Sequence, residues 1–247
     1  MLPPSRVRAA LLAAGLLLPS AAFAQESSAK LSTKTPPAFQ LSLAPEATVG
    51  GTYRLNDAAS GYPIDERFGA NYDLGLYLGL GRRVDVGVHY LHTHIGVENE
   101  SNVAQNNGIE SRRALDAALL TGRFFAFRND WAGIFLGLTA GLGWQSVDHR
   151  ASLVQQSGSS PVFTKVRCQA SGSASLGLGV GLGAQFEVDK GTEFLIQFAG
   201  MNNQGSSDTL KDGGVDCASG SGSSTLLMAQ MAFRYRFDLG GSSKDAR

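Results

Sequence analysis

This 247-residue chain has only two cysteines and four histidines. After its first two dozen residues it also has no long apolar run. Each scarcity excludes something. Cys168 and Cys217 have no histidine beside them at ligand spacing, so a cysteine-rich metal module is excluded. In an exported chain such an even pair reads as a disulfide. A helical membrane protein needs stretches of ~20 apolar residues, and none follows Ala24. Charge of one sign is lacking too, with 21 basic and 21 acidic residues. That balance argues against nucleic acid as a partner. Glycine is plentiful at 31 residues, but without a G-X-Y period, which excludes a collagen-like fibre.

The N-terminus is organised for export. Arg6 and Arg8 precede an apolar stretch from Ala9 to Leu18, followed by Pro19 and an Ala22-Phe23-Ala24 cleavage site. Charge, a short apolar region and small residues in that order predict a signal peptide over 1–24, cleaved after Ala24. The remaining chain holds 19 basic and 21 acidic residues. Residues 25–38 are polar, end near Pro36-Pro37, and predict an unstructured periplasmic leader. A barrel domain is expected over 39–237, followed by a polar C-terminal tail over 238–247.

From Leu176 to Val188 every second residue is apolar, and those between are glycines, Gln185 and Glu187. A strand sends successive side chains to opposite faces, so one face is greasy and the other nearly bare. A soluble sheet has little use for a bare wet face. A membrane barrel puts the greasy face in lipid and the small one in a crowded lumen. Similar segments recur near 39–53, 72–81, 84–94, 113–127, 134–145, 193–201 and 225–237. Pro45 is expected to mark a bulge in the first. In the fourth, Asp116 and Arg123 fall in opposite alternating sets, which suggests a bulge or register change.

The reading is all-β: an eight-stranded antiparallel transmembrane β-barrel with short periplasmic turns and long extracellular loops. Long connections are expected over 54–71, 96–112, 146–171 and 202–223, with Cys168 and Cys217 bridging the last two on the extracellular side. Aromatic girdles follow the same map. Tyr53, Tyr72, Tyr90 and Trp144 fall near the long loops. Phe39, Trp131, Phe194, Tyr235 and Phe237 fall near the short turns.

This pattern resembles the small eight-stranded outer-membrane barrels of the OmpA, OmpX and OmpW type. The likeness rests on the export signal, the alternating segments and the last strand Phe233-Arg234-Tyr235-Arg236-Phe237. In that family a terminal aromatic strand is read by the barrel-assembly machinery, which the resemblance makes a partner during insertion. The ten residues after Phe237 depart from the family pattern. The family's peptidoglycan-binding domain has no counterpart, so no cell-wall tether is implied.

Candidate chemistry is sparse. Gly179 to Ala184 matches a dinucleotide fingerprint in letters, yet alternation runs straight through it and no helix opens there. His92 and His94 are expected to face outward at the rim, with His89 in the lumen. Barrels that deacylate lipid use a histidine and serine close together on a strand. Here His94 and Gly96 stand where the serine would follow. Asp148-His149 with Ser152 lies in an expected loop. Asp85, Glu187, Glu193, Arg234 and Arg236 map inward toward the periplasmic end, where buried charges must pair. They form either an ion-paired plug or the gate of a narrow pore.

No catalytic residue, metal or cofactor is expected. The reading is an integral outer-membrane protein with a structural or surface-interaction role, its loops the contact surface for an extracellular ligand. Outer-membrane lipids and lipopolysaccharide are the expected surroundings. A narrow channel past Gly75, Gly141, Gly179 and Gly181 and a lipid-modifying enzyme are alternatives. A soluble lipocalin-like barrel would invert the faces, burying Leu74, Leu76 and Leu78.

Overall fold

A computed structural model describes residues 41–56, 66–102, 107–157 and 160–239. The expected signal peptide, the leader, Phe39 and the tail beyond Leu239 lie outside the described residues. Twelve strands follow in order: β1 (Leu41–Arg54), β2 (Phe68–Leu80), β3 (Val84–Asn102), β4 (Asn107–Arg128), β5 (Ala132–Ser157), β6 (Ser160–Ser171), β7 (Ser175–Asp189), β8 (Thr192–Gln204), β9 (Thr209–Asp212), β10 (Val215–Ser219), β11 (Ser223–Tyr235) and β12 (Phe237–Asp238). Strands β1, β2, β3, β4, β5, β7, β8 and β11 pair in that order, each antiparallel to the next. Pairing of β11 with β1 closes the ring, so the wall has eight strands.

Glycine and asparagine make the short turns at one end. Gly81 (φ 71°) and Gly191 (φ 80°) take up left-handed backbone that side chains rarely adopt. Between β4 and β5, the Asn129 side-chain oxygen accepts the Ala132 N–H at 2.7 Å. At the other end the expected loops are largely strand. β3 and β4 stay paired out to Asn102 and Asn107, and β5 and β6 to Ser157 and Ser160. β5 therefore changes partner, running beside β7 as far as Gly143 and beside β6 from Ser146. Its 26 residues far exceed the ~9–11 that a membrane crossing takes. β9 and β10 form a separate hairpin in the last connection.

One local expectation fails and another is met at a different place. Pro45 makes no bulge, because β1 pairs with β2 residue for residue from Leu41 to Tyr53. The proline faces outward and interrupts only the ladder on the closing seam. Nor does the register change between Asp116 and Arg123. Asp116 sits on the outer face and Arg123 on the inner one, as unbroken alternation requires. β4 does shift register, but at Phe125/Phe127, while β3 shifts at His94/Gly96 and β7 at Glu187/Asp189.

The outer face is apolar around the wall. Leu74 is 60% exposed, and Leu76, Leu178, Val180, Leu182, Leu136 and Phe198 share its fate, while Asp73 beside Leu74 is 5% exposed. That polarity is the reverse of a soluble barrel and removes the lipocalin-like alternative. In water such a belt would be a very large apolar patch, and in lipid it is solvated. The chain is a transmembrane β-barrel.

Candidate functional site: a filled lumen and a structured rim

The lumen is stacked in layers, and the first is ionic. Near the short turns, Arg234 Nε donates to Glu193 and its Nη1 to Asp85, each at 2.7 Å, while its Nη2 donates to Gln185 at 2.6 Å. Arg128 reaches Asp85 at 3.2 Å and Arg236 reaches Glu193 at 3.1 Å. Arg123 grips Glu46 with two bonds of 2.5 and 2.7 Å. Four arginines thus share three buried carboxylates, and each carboxylate has at least one guanidinium. Taking these charges out of water is tolerable only because they meet.

Of the residues placed inward from sequence, Asp85, Glu193, Arg234 and Arg236 come together here. Glu187 does not. It is exposed beside the β7–β8 turn and accepts the Gly191 N–H at 3.3 Å. Sequence reasoning missed Glu46, Arg123 and Arg128, whereas Gln185, on the expected lumen face of its strand, is buried at 5% exposure. Glu46 follows the proline expected to mark a bulge, Arg123 sits in the segment expected to be irregular, and Arg128 falls just past the end of that segment at 127. Unbroken alternation from Arg113 to Phe125 was the signal that places Arg123 inward.

Aromatic rings complete this layer, and facing glycines make room for them. The Tyr77 ring lies over Gly87, where a Cβ would sit 2.3 Å from it. The Phe135 ring covers Gly183 in the same way. The Arg123 guanidinium stacks 4.1 Å from the Tyr77 ring centre. These glycines are therefore covered by rings from the strands paired with theirs, Tyr77 on β2 and Phe135 on β5, and no open bore runs past them.

The second layer is polar. His89 Nδ1 contacts Asp73, and its Nε2 lies 2.7 Å from the Thr121 hydroxyl. Gln197, Gln230, Asn71 and Thr52 continue a hydrogen-bonded chain across the lumen. A residual cavity of about 40 Å³ lies here, beside Gly137, Gly179 and Gly181. That is room for a water or two. Asp73, His89 and Thr121 have the connectivity of a catalytic triad, but no substrate fits beside them.

The third layer is apolar, with Leu91, Ile95, Leu115, Leu119, Met201, Leu226 and Met228 in one buried cluster. Above it the chain caps its own mouth with the segment entering β11. Arg113 donates to the Ser219 carbonyl at 2.7 Å and Arg54 to the Ser221 carbonyl at 3.1 Å. Gln145 holds the same segment from both sides, donating to Gly222 O at 2.7 Å and accepting Ser221 N–H at 3.0 Å.

Outside, Tyr72, His92, Asp116 and Trp144 stand opposite one another across four strands. Asp116 accepts from the Tyr90 hydroxyl and lies 2.8 Å from His92 Nδ1, and His92 stacks on Tyr72 at 4.8 Å. This row is the girdle near the long hairpins, with Tyr53 against Phe68 at 5.6 Å one strand away. At the other end stand exposed Trp131, Phe194 against Phe233 at 5.2 Å, and Tyr235 against Phe237 at 4.6 Å. Bands of rings at two levels bracket the apolar belt. This is the architecture of a small eight-stranded transmembrane barrel.

No family model and no curated protein matches the sequence. Among solved structures, the barrel is similar to Neisserial surface protein A, with a TM-score of 0.46, 13% identity, and cover of 80% of this chain and 97% of that one. It is also similar to the attachment invasion locus protein of Yersinia pestis, at 0.41 and 14%, covering 79% and 99%. The N-terminal barrel domain of Pseudomonas aeruginosa OprF gives 0.37 and 14%, covering 81% and 99%.

Above the barrel, Cys168 on β6 and Cys217 on β10 form a disulfide, with Cα atoms 5.8 Å apart. Val147, Ala170 and Leu210 pack beneath it. On the outer face of the β5–β6 hairpin, Asp148 accepts from Arg150 at 3.0 Å and from Arg167 at 2.9 and 2.8 Å. These hydrogen bonds hold the Asp148 carboxyl well below the usual carboxylate range. His149, read as part of a loop, is on β5 with Nδ1 2.8 Å from the Ser111 hydroxyl. Among the described residues no group of three histidines, cysteines or acids could hold a metal.

Proposed function

We propose that the protein is an integral protein of a Gram-negative outer membrane whose shut barrel serves as the base for a surface-exposed platform. The filled lumen carries this reading: an ion-paired layer at one mouth, a strapped segment at the other, and about 40 Å³ between. With the short turns in the periplasm, the β3–β4 and β5–β6 hairpins and the disulfide-tied β9–β10 hairpin stand on the cell surface. Paired strands and a covalent tie give that surface a fixed shape, which suits recognition of an extracellular ligand. Outer-membrane lipids and lipopolysaccharide surround the belt, and the aromatic terminal strand is what the barrel-assembly machinery would engage.

The test is electrical. Purified full chain inserted in a planar bilayer should show no steady single-channel current in molar salt. A stable open level would favour a narrow channel and sink the shut-barrel reading.

A further inference from the structure

We propose that the outer wall carries a binding site for a zwitterionic phospholipid headgroup, in a groove between the start of β2 and the upper parts of β3 and β4. The groove encloses about 410 Å³ and is lined by Glu66, Phe68, His94, Val97, Glu110 and Arg112, with Gly69 and Gly96 at its floor. It opens sideways, beyond the row of Tyr72, His92, Asp116 and Trp144. Arg112 lies four residues along β4 from Asp116, two side chains further up the same face. A lipid at the wall carries its phosphate at that height when the ring row marks the interface.

The groove is built by the wall's own irregularity. The register of β3 slips between His94 and Gly96, and the extra residue, Ile95, turns fully into the lumen. Gly96 takes a φ of 138° to make the bend. Glu66 then bridges to Val97 through backbone bonds of 3.1 and 3.3 Å, holding the approach to β2 beside the slip. A Cβ on Gly69 would come within 2.6 Å of the His94 Cβ, so a bare backbone is needed at the floor.

Its chemistry is mixed in sign. Arg112 is a permanent cation with its side chain 58% exposed, and Glu110 engages it through Nε. With the His94 ring it offers N–H donors for a phosphodiester. Glu66 and Glu110 offer carboxylates, and Phe68, 73% exposed, a ring face for an ammonium group a few atoms away. A polyanionic headgroup, including that of the lipopolysaccharide proposed around this rim, would meet those two carboxylates and be repelled, so the groove would select the zwitterionic lipid against it. The next acid down the wall, Asp116, is already engaged by Tyr90 and His92. Acyl chains would continue over Leu74 and Val88, both 60% exposed.

This rests on the barrel lying in lipid with the ring row at the interface, and a chain that fails to insert would count against that reading instead. The full chain is folded into vesicles of equal phosphatidylethanolamine and phosphatidylglycerol and then extracted gently. Retained lipid is counted by native mass spectrometry, with heat-modifiable gel mobility reporting the fold. Phosphatidylethanolamine should be enriched about tenfold over the bulk ratio, the scale of one charged hydrogen bond. Arg112→Gln should return the ratio to bulk, and Glu110→Gln should shift it toward phosphatidylglycerol. Bulk composition in the unaltered protein, or unchanged enrichment in Arg112→Gln, overturns the site. Should Arg112→Gln fail to insert, Glu110→Gln and His94→Leu decide, and unchanged enrichment in both overturns it.

Discussion

The two mouths of this barrel are shut by different physics. At the short turns the closure is charge against charge, with Arg234 gathering Glu193, Asp85 and Gln185 from three other strands. At the long hairpins a neutral segment is strapped down by arginine and glutamine bonds to its backbone, above an apolar layer. The first closure belongs to the wall and should be as permanent as the barrel. The second belongs to a connection, and only the disulfide and a few hydrogen bonds keep it in place.

The sharpest way to break the contrast is at the charged end. Replacing Arg234 with methionine should cost ~3–5 kcal/mol, because Glu193 and Asp85 stay buried with weaker partners. Urea unfolding in vesicles would measure it. Adding Glu193→Gln should recover part of the loss, and a purely additive double variant would show that the layer is not a coupled network.

The wall itself is the next target. Arginine in place of Leu178, on the lipid face of β7, should destabilise by ~2–4 kcal/mol if that residue lies near the bilayer midplane. An unchanged midpoint would mean that this face is not in lipid.

At the strapped end the effects should be local. Cys168→Ser opens a link between residues 49 apart in sequence. The cost should be ~2–4 kcal/mol, less where the hairpins stay paired. Protease should then cut β9–β10 while the barrel's circular dichroism and gel mobility persist. Loss of the barrel would show that the two ends are not separable.

The smallest effect is one of pH. Asp148 has a folded pKa held down by Arg167 and Arg150, so its contribution is complete above the ordinary carboxylate pKa of ~3.9 and fades only as pH falls through the lowered value. The β5–β6 hairpin should therefore resist pepsin slightly better than its Asp148→Asn form at pH 4. The pair is largely exposed, so salt should erase much of that difference.

Most of the wall was legible in the sequence, because lipid enforces strict alternation. Leu176 to Val188 states its two faces residue by residue, and tight turns such as Lys190-Gly191 punctuate it. What alternation does not encode is how far a strand continues beyond the membrane. Residues 146–157 lose the apolar beat, yet β5 and β6 stay paired there. The inward charges of β3, β8 and β11 could be found by parity. Those of β1 and β4 were hidden by treating Pro45 and Asp116 as breaks, when a lone proline costs one donor and an outward carboxylate needs only Tyr90 and His92 beside it.

Pro45 also bears on how the ring is joined. Pairing between β1 and β11 ends at Glu46 with Arg234 and resumes at Leu43 with Phe237, in the same register. Two rungs are missing from the joint where the first strand meets the last, and the Arg236 N–H turns instead to Gly191 O at 2.7 Å. Every other joint is made by strands close in sequence. This one brings together the two most distant, at the greatest loop-closure cost. A zipper fastened from Arg54 downward can close around the missing rungs last, and when it fails it opens first from that hem.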